Sequence, residues 1–244
     1  MFRSGNPALS ENVLKRSFAA EPAEGVMTVD GAVNKTTILF IILLIGASIT
    51  WYQPIQAAQG WMMLGVFGGL IAALVTIFKK EWARYSAPAY ALLEGLFLGG
   101  ISSIYEAQFN GLVLQAVALT FGTFAAMLIA YRSGLIKVTN KLRFGIVAAT
   151  GGIALVYFAS IILGFFGVSV SLISGNGLFG IGFSLIVVGV AAMNLLLDFD
   201  FIEKGAEYNA PRYIEWYAAF GLMVTLVWLY LEFLRLLAKL QSRR

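Results

Sequence analysis

Apolar and polar positions fall in long blocks along this chain: seven mostly apolar runs, each of about 20 residues, are separated by short polar connections. Read by length, the runs predict helices at Thr36–Tyr52, Trp61–Phe78, Ala87–Tyr105, Leu112–Tyr131, Phe144–Val168, Gly177–Asp198 and Trp216–Leu237. A run of this length crosses a hydrocarbon layer of about 30 Å as a helix and is far longer than a barrel strand. Trp51, Tyr52, Trp61, Trp82, Tyr85 and Trp216 stand at the ends of runs, where amphipathic rings settle at a membrane interface. The polar stretch 1–35 reads as a tail ahead of a membrane domain at 36–244, and Pro7 to Phe18 is a candidate short interfacial helix. The first apolar run starts too far from the terminus for a signal peptide.

Composition sharpens this into a fold class. With 59% hydrophobic and only 12% charged residues, and a mean hydropathy of +0.82, too little polar surface exists to cover a soluble domain. The expectation is an all-α polytopic membrane protein with seven transmembrane helices and the lipid bilayer as its first partner. The net charge of +4 is carried largely by alternate connections. Lys79–Ser86, Arg132–Arg143 and Phe199–Glu215 hold three, four and two basic residues, whereas Gln53–Gly60, Glu106–Gly111 and Ser169–Asn176 hold none. The positive-inside rule therefore places the basic set and the N-terminus in the cytoplasm, and the charge reports topology, not nucleic-acid binding. Arg235, Lys239, Arg243 and Arg244 run against that rule, since seven spans put them outside; a re-entrant last segment is the alternative.

Cysteine and histidine are absent, which removes disulfides, thiol nucleophiles, histidine triads and histidine metal ligands. Proton chemistry is left to the acids, and carboxylates are costly in hydrocarbon, about 2.5 kcal/mol or more at a helix centre. Glu94 lies inside the third run beside Gly95. Asp198 and Asp200 close the sixth run and diverge by about 200° around a helix, so one faces the bundle and the other the interface. Asn194 stands one turn before Asp198 and is positioned to hydrogen-bond it. Asp200 and Glu203 read as a solvated helix end. Glu232 in the seventh run has Arg235 three residues on, the spacing of an internal ion pair, and Glu215 opens that run. Gly95 and Gly99 form a small-xxx-small seam, with Gly65, Gly68, Gly69, Gly151, Gly152, Gly180 and Gly182 as further small positions at which helices pack closely.

Leu197-Asp198-Phe199-Asp200-Phe201-Ile202 and Leu229-Tyr230-Leu231-Glu232-Phe233-Leu234-Arg235-Leu236 resemble the paired C-terminal motifs of the Bax inhibitor-1 family. Glu94-Gly95-Leu96-Phe97-Leu98-Gly99 resembles its third-helix motif, and the tail with the Tyr217–Trp228 stretch looks most like a bacterial branch. The resemblance runs from Thr36 to the C-terminus. It implies seven helices with the last surrounded by the other six, a bacterial inner-membrane location, and a pH-sensitive calcium leak governed by two acids on the sixth and seventh helices. Carried over by position, these are Asp198 and Glu232, which would also meet calcium weakly and transiently; Glu94, Asn194, Asp200 and Glu215 complete the polar set. The chain departs from the pattern in having Glu, not Asp, on the last helix, a longer loop between the motifs, and no acid in the second span. Lys79, Lys80 and Arg84 are candidates for a basic latch partner. Two carboxylates held close together share a proton, which gives a switch without histidine.

The expected function is thus a pH-regulated cation leak with no catalytic residues, no tightly bound cofactor, and calcium or other cations as permeant partners. One alternative is a non-conducting interaction protein that regulates membrane proteases or stress responses through membrane-protein partners. A magnesium-dependent membrane prenyltransferase fits less well, since it needs a second acidic cluster and basic loop residues for diphosphate.

Overall fold

A computed structural model describes residues 25–167, 173, 175 and 177–243. Among these the chain forms α1 (Val29–Trp51), α2 (Ile55–Phe78), α3 (Ala83–Gln108), α4 (Leu112–Arg132), α5 (Asn140–Phe165), α6 (Leu178–Glu207) and α7 (Ile214–Gln241), with a short 3-10 turn at Lys80–Trp82. All seven long helices have the length and apolar character to cross a membrane. The molecule is an all-α polytopic membrane protein, and each expected span recurs as a helix.

The differences lie at helix ends. α1 begins at Val29, earlier than the expected Thr36, because the Thr28 hydroxyl accepts the Gly31 N–H at 2.9 Å and Asp30 sits in the first turn. A cap and an acid at the N-terminus offset the unpaired N–H groups and the dipole there. Positions 29–35, read as tail, are therefore helix. α6 does not stop at Asp198 but runs on to Glu207. Phe199, Phe201 and Ile202 remain buried beyond the acids, and Lys204 pairs with Asp200 one turn on at 2.7 Å. The Pro7–Phe18 segment lies outside the described residues, as does most of the Ser169–Asn176 connection.

α3 is sandwiched between α1 and α2. A Cβ on Gly95 would collide with the Leu43 carbonyl, one on Gly99 with the Ala47 carbonyl, and one on Gly65 with the Leu93 carbonyl. The expected small-residue seam is thus where the backbones meet, as membrane helices require when lipid supplies no hydrophobic drive for association. Gly151, Gly152 and Gly182 face no neighbour within 4 Å and take no part.

α7 is central. It packs against α1, α3, α4 and α6, Tyr157 of α5 reaches it by a hydrogen bond, and most of its residues are buried. α2 packs chiefly on α3, on the outside of the bundle, so the encirclement differs from six helices by this one. Ile41, Leu44, Phe67, Ile71, Phe158 and Ile186 point outward; in a bilayer these meet lipid tails, where exposure costs nothing. Because α7 is a full-length span, its C-terminal end lies on the face opposite the N-terminal end of α1. Its cations are held there by protein groups: Lys239 donates to the Gly180 carbonyl at 3.0 Å and to the Ser184 hydroxyl at 2.9 Å.

Candidate functional site

Near the N-terminal face, α5 and α6 carry a buried charge cluster. Thr139 caps α5 by accepting the Leu142 N–H at 3.2 Å, and this start directs Arg143 into the bundle, where it is 5% exposed. Its guanidinium pairs with Asp200, which is 7% exposed and also takes Lys204 at 2.7 Å. Asp200 is therefore not the solvated helix end expected from the sequence: α6 continues past it and encloses it. Glu203 is exposed and accepts the Tyr131 hydroxyl. Arg143, a residue that sequence counting assigned to a loop, is thus a basic partner of the acidic motif through Asp200. Of the three latch candidates, Lys80 lies over the Tyr217 ring at 5.7 Å and Arg84 over the Tyr85 ring at 4.7 Å. A cleft of about 850 Å³ opens beside the cluster, bounded by Tyr131, Arg132, Lys137, Asp200 and Glu203 and reaching inward to Leu222.

Deeper along α6, Asp198 is fully buried and Asn194 nearly so. The Asn194 amide donates to the Thr150 hydroxyl at 2.8 Å and to the Val190 carbonyl at 2.9 Å. It therefore ties α6 to α5 instead of bonding Asp198, because Thr150 presents an acceptor across the helix pair.

Toward the opposite face, Glu232 accepts the Tyr157 hydroxyl and the Arg235 guanidinium, each at 2.8 Å. Arg235 also donates to the Tyr157 hydroxyl at 2.6 Å and lies over that ring at 5.1 Å. The i,i+3 pair read from sequence is present, extended by a tyrosine that the sequence did not flag. A recess of about 420 Å³ lies alongside, lined by Tyr105, Gln108, Arg235, Lys239 and Ser242.

Depth separates the two acids that the motifs nominate. Stepping back along both antiparallel helices from the Lys239 contacts with Gly180 and Ser184 places Asp198 level with Gly221 to Thr225. Glu232 then lies about 10–16 Å of helical rise away, and Glu215 about 9–15 Å in the other direction. The structure does not bring Asp198 and Glu232 together. Glu215 is 2% exposed and works elsewhere: it accepts the Thr28 N–H at 3.0 Å and hydroxyl at 3.1 Å. Met27 N–H to Ala210 at 2.7 Å and Arg212 N–H to Gly25 at 3.0 Å tie the same segment to the α6–α7 loop. Glu94 is half-buried and its carboxyl faces Gly69 of α2. Ser102 of α3 meets Tyr230 of α7, and Tyr90 meets Phe220, so in these parallel helices Glu94 stands level with Leu222 to Val224. Glu94 and Asp198 thus share one depth on different sides of α7. Among the described residues no group of three or more acids converges to hold a metal ion.

A family model described as Bax inhibitor 1 like matches residues 6–242 of this chain. No curated protein matches it.

Proposed function

The chain belongs to the Bax inhibitor 1-like family, and from that premise we propose that it is a non-enzymatic membrane protein that lets cations, calcium among them, leak across the bilayer under the control of protonation at Asp198. The observation that carries this reading is the fully buried Asp198 carboxyl at the α6–α7 core. Its sequence neighbours Phe199 and Asp200 line the cleft on one face, while Asp198 itself stays behind that lining, and packed helix separates it from the recess at Arg235 on the other. Acids at such depth are kept where they line a pathway or titrate. The two recesses supply mouths, and the packed zone between them the closed state.

In this scheme Asp198 is the pH-sensing group and Glu94 a second acid at the same depth. Asn194 holds α6 against α5, Asp200 fixes Arg143 and Lys204 beside the mouth, Glu203 faces arriving cations there, and Glu232 with Arg235 shapes the far end. Calcium prefers six to eight oxygen ligands, and this set offers few, completed by water and carbonyls. Weak binding favours passage over storage. With the basic connections in the cytoplasm, the wide cleft is the cytoplasmic mouth of a protein of the bacterial inner membrane.

The test is calcium flux into proteoliposomes made from the purified protein, read with an enclosed indicator across a pH series. Asp198→Asn, which keeps the shape and cannot titrate, is expected to fold and to lose the pH dependence. An unchanged profile overturns the assignment of Asp198. No flux from folded wild-type protein instead favours a regulator acting through membrane-protein partners. The tie between residues 25–28 and the α6–α7 loop supports that second reading, since a partner engaging the tail would pull on the central helix.

A further inference from the structure

A third cavity, about 380 Å³ in volume, lies within the membrane-spanning layer and away from every acid discussed above. α1 and α4 form its walls, and α3 and α7 its floor. At one end the rings of Phe40 and Phe121 meet at 5.8 Å; both sit near the middle of their helices, hence near the bilayer midplane. At the other end stands Trp51, the last residue of α1. From Phe40 to Trp51 is about 16 Å of helical rise, which matches the roughly 15 Å that one leaflet contributes to the hydrocarbon core. The cavity is therefore one leaflet deep, on the side away from the N-terminal end of α1.

Its walls offer nothing to water. The Ser102 hydroxyl is already bonded to the Tyr230 hydroxyl at 2.6 Å, and the Thr120 hydroxyl donates to the Ala116 carbonyl at 2.7 Å. An apolar cavity without polar partners stays dry. An unfilled one forfeits the dispersion contacts of its lining. The cavity is also continuous with the lipid-facing surface: Leu44 on one lip is 61% exposed and Phe121 on the other 50%. Hydrocarbon is the one filler abundant at that depth.

We propose that this cavity is a binding site for one acyl chain of a phospholipid in the leaflet on the α1 C-terminal side, seated between α1 and α4 with its carbons nearest the headgroup beside Tyr230, its middle against Leu226 of the central helix and its end toward Phe40 and Phe121. The occupant completes the packing of α7 on a side where α1 and α4 part, so the bilayer contributes directly to the core. This holds whether or not the protein conducts ions.

The experiment uses the full chain in vesicles of phosphatidylethanolamine and phosphatidylglycerol, with a trace of phosphatidylglycerol carrying a diazirine close to the carboxyl end of one acyl chain. After irradiation, adducts are mapped by peptide mass spectrometry. Annular lipid reaches outward residues such as Leu114, Phe158 and Ile186, whereas a seated chain labels Tyr230 and Ser102 on the floor. Labelling at Tyr230 and Ser102 equal to or above that at the outward residues is expected. Val117→Phe, which fills the cavity from α4, should cut the floor labelling at least ten-fold and leave outward labelling unchanged. Ala47→Leu does the same from α1 and stands in if the first variant misfolds. Adducts confined to outward residues, or floor labelling that persists in a folded filled variant, overturn the proposal. So does floor labelling by a free diazirine fatty acid but not by the phospholipid, which would make the ligand a free acid.

Discussion

Arg143 is buried because the Thr139 cap aims α5 inward and the Asp200 carboxylate there neutralises the guanidinium, while Lys204 holds the same carboxylate from one turn along α6. Breaking a buried pair by removing one partner costs about 3–5 kcal/mol, because the other charge stays behind. Here Lys204, 24% exposed, continues to neutralise Asp200, so Arg143→Met is expected near the low end, about 3 kcal/mol. Asp200→Asn, by contrast, takes the carboxylate from the buried Arg143 and should cost more, toward about 5 kcal/mol. Thermal melting in detergent reads both, and a single variant as stable as wild type would contradict the pairing. The sequence makes part of this legible: Lys204 four residues after Asp200 announces the helix pair, as Arg235 three residues after Glu232 announces the other. Arg143 is illegible because a basic residue near a predicted helix start looks the same whether it faces solvent or core. Tyr157 and Thr150 are hidden for a related reason, since each is defined by a partner on another helix.

At the scale of elements, the runs of apolar residues locate each long helix among the described residues, and what they miss is set by contacts far away in sequence. α1 starts at Val29 because Thr28 is held in place by Glu215, 187 positions distant. α6 outlasts its apolar run because Arg143 and Lys204 offset Asp200. The glycines make the same point. Gly95 with Gly99 and Gly151 with Gly152 are both small positions in long helices, yet the first pair meets backbone carbonyls of α1 and the second meets nothing within 4 Å. Gly99→Val is therefore expected to force α1 off α3. Overpacking costs about 1–3 kcal/mol, and a carbonyl that cannot rotate away puts this case at the upper end. Gly152→Ala should leave stability unchanged or slightly raise it, since Ala is the better helix former. Yield of monodisperse protein and melting temperature separate the two; equal behaviour would mean that the α1–α3 seam is not where the helices meet.

For the whole molecule, seven spans place the start of α1 and the end of α7 on opposite faces, and a chain without cysteine allows this to be read directly. Single cysteines at Lys137 and at Ser242 are expected to label from opposite sides with an impermeant maleimide, Lys137 from the cytoplasm by the positive-inside rule. Labelling of both from one side would mean that α7 does not cross. The C-terminal cations oppose that rule by count, but Lys239 and Arg235 are engaged by Ser184, Gly180 and Glu232, so they contribute to packing more than to loop charge. The same long-range view bears on the two acids that sequence motifs pair. Asp198 and Glu232 lie in matched positions of two consecutive motifs, yet the register of α6 against α7 sets them about 10–16 Å apart in depth, and Glu232 has a cation of its own in Arg235 at 2.8 Å. Sites more than about 10 Å apart usually add within about 0.5 kcal/mol. A double-mutant cycle of Asp198→Asn with Glu232→Gln, run on melting temperature and on the pH midpoint of calcium flux, is therefore expected to be additive, with the midpoint moved by Asp198→Asn and little altered by Glu232→Gln. Strong coupling between the two would mean that α6 and α7 slide past one another between a closed arrangement and one in which the acids meet.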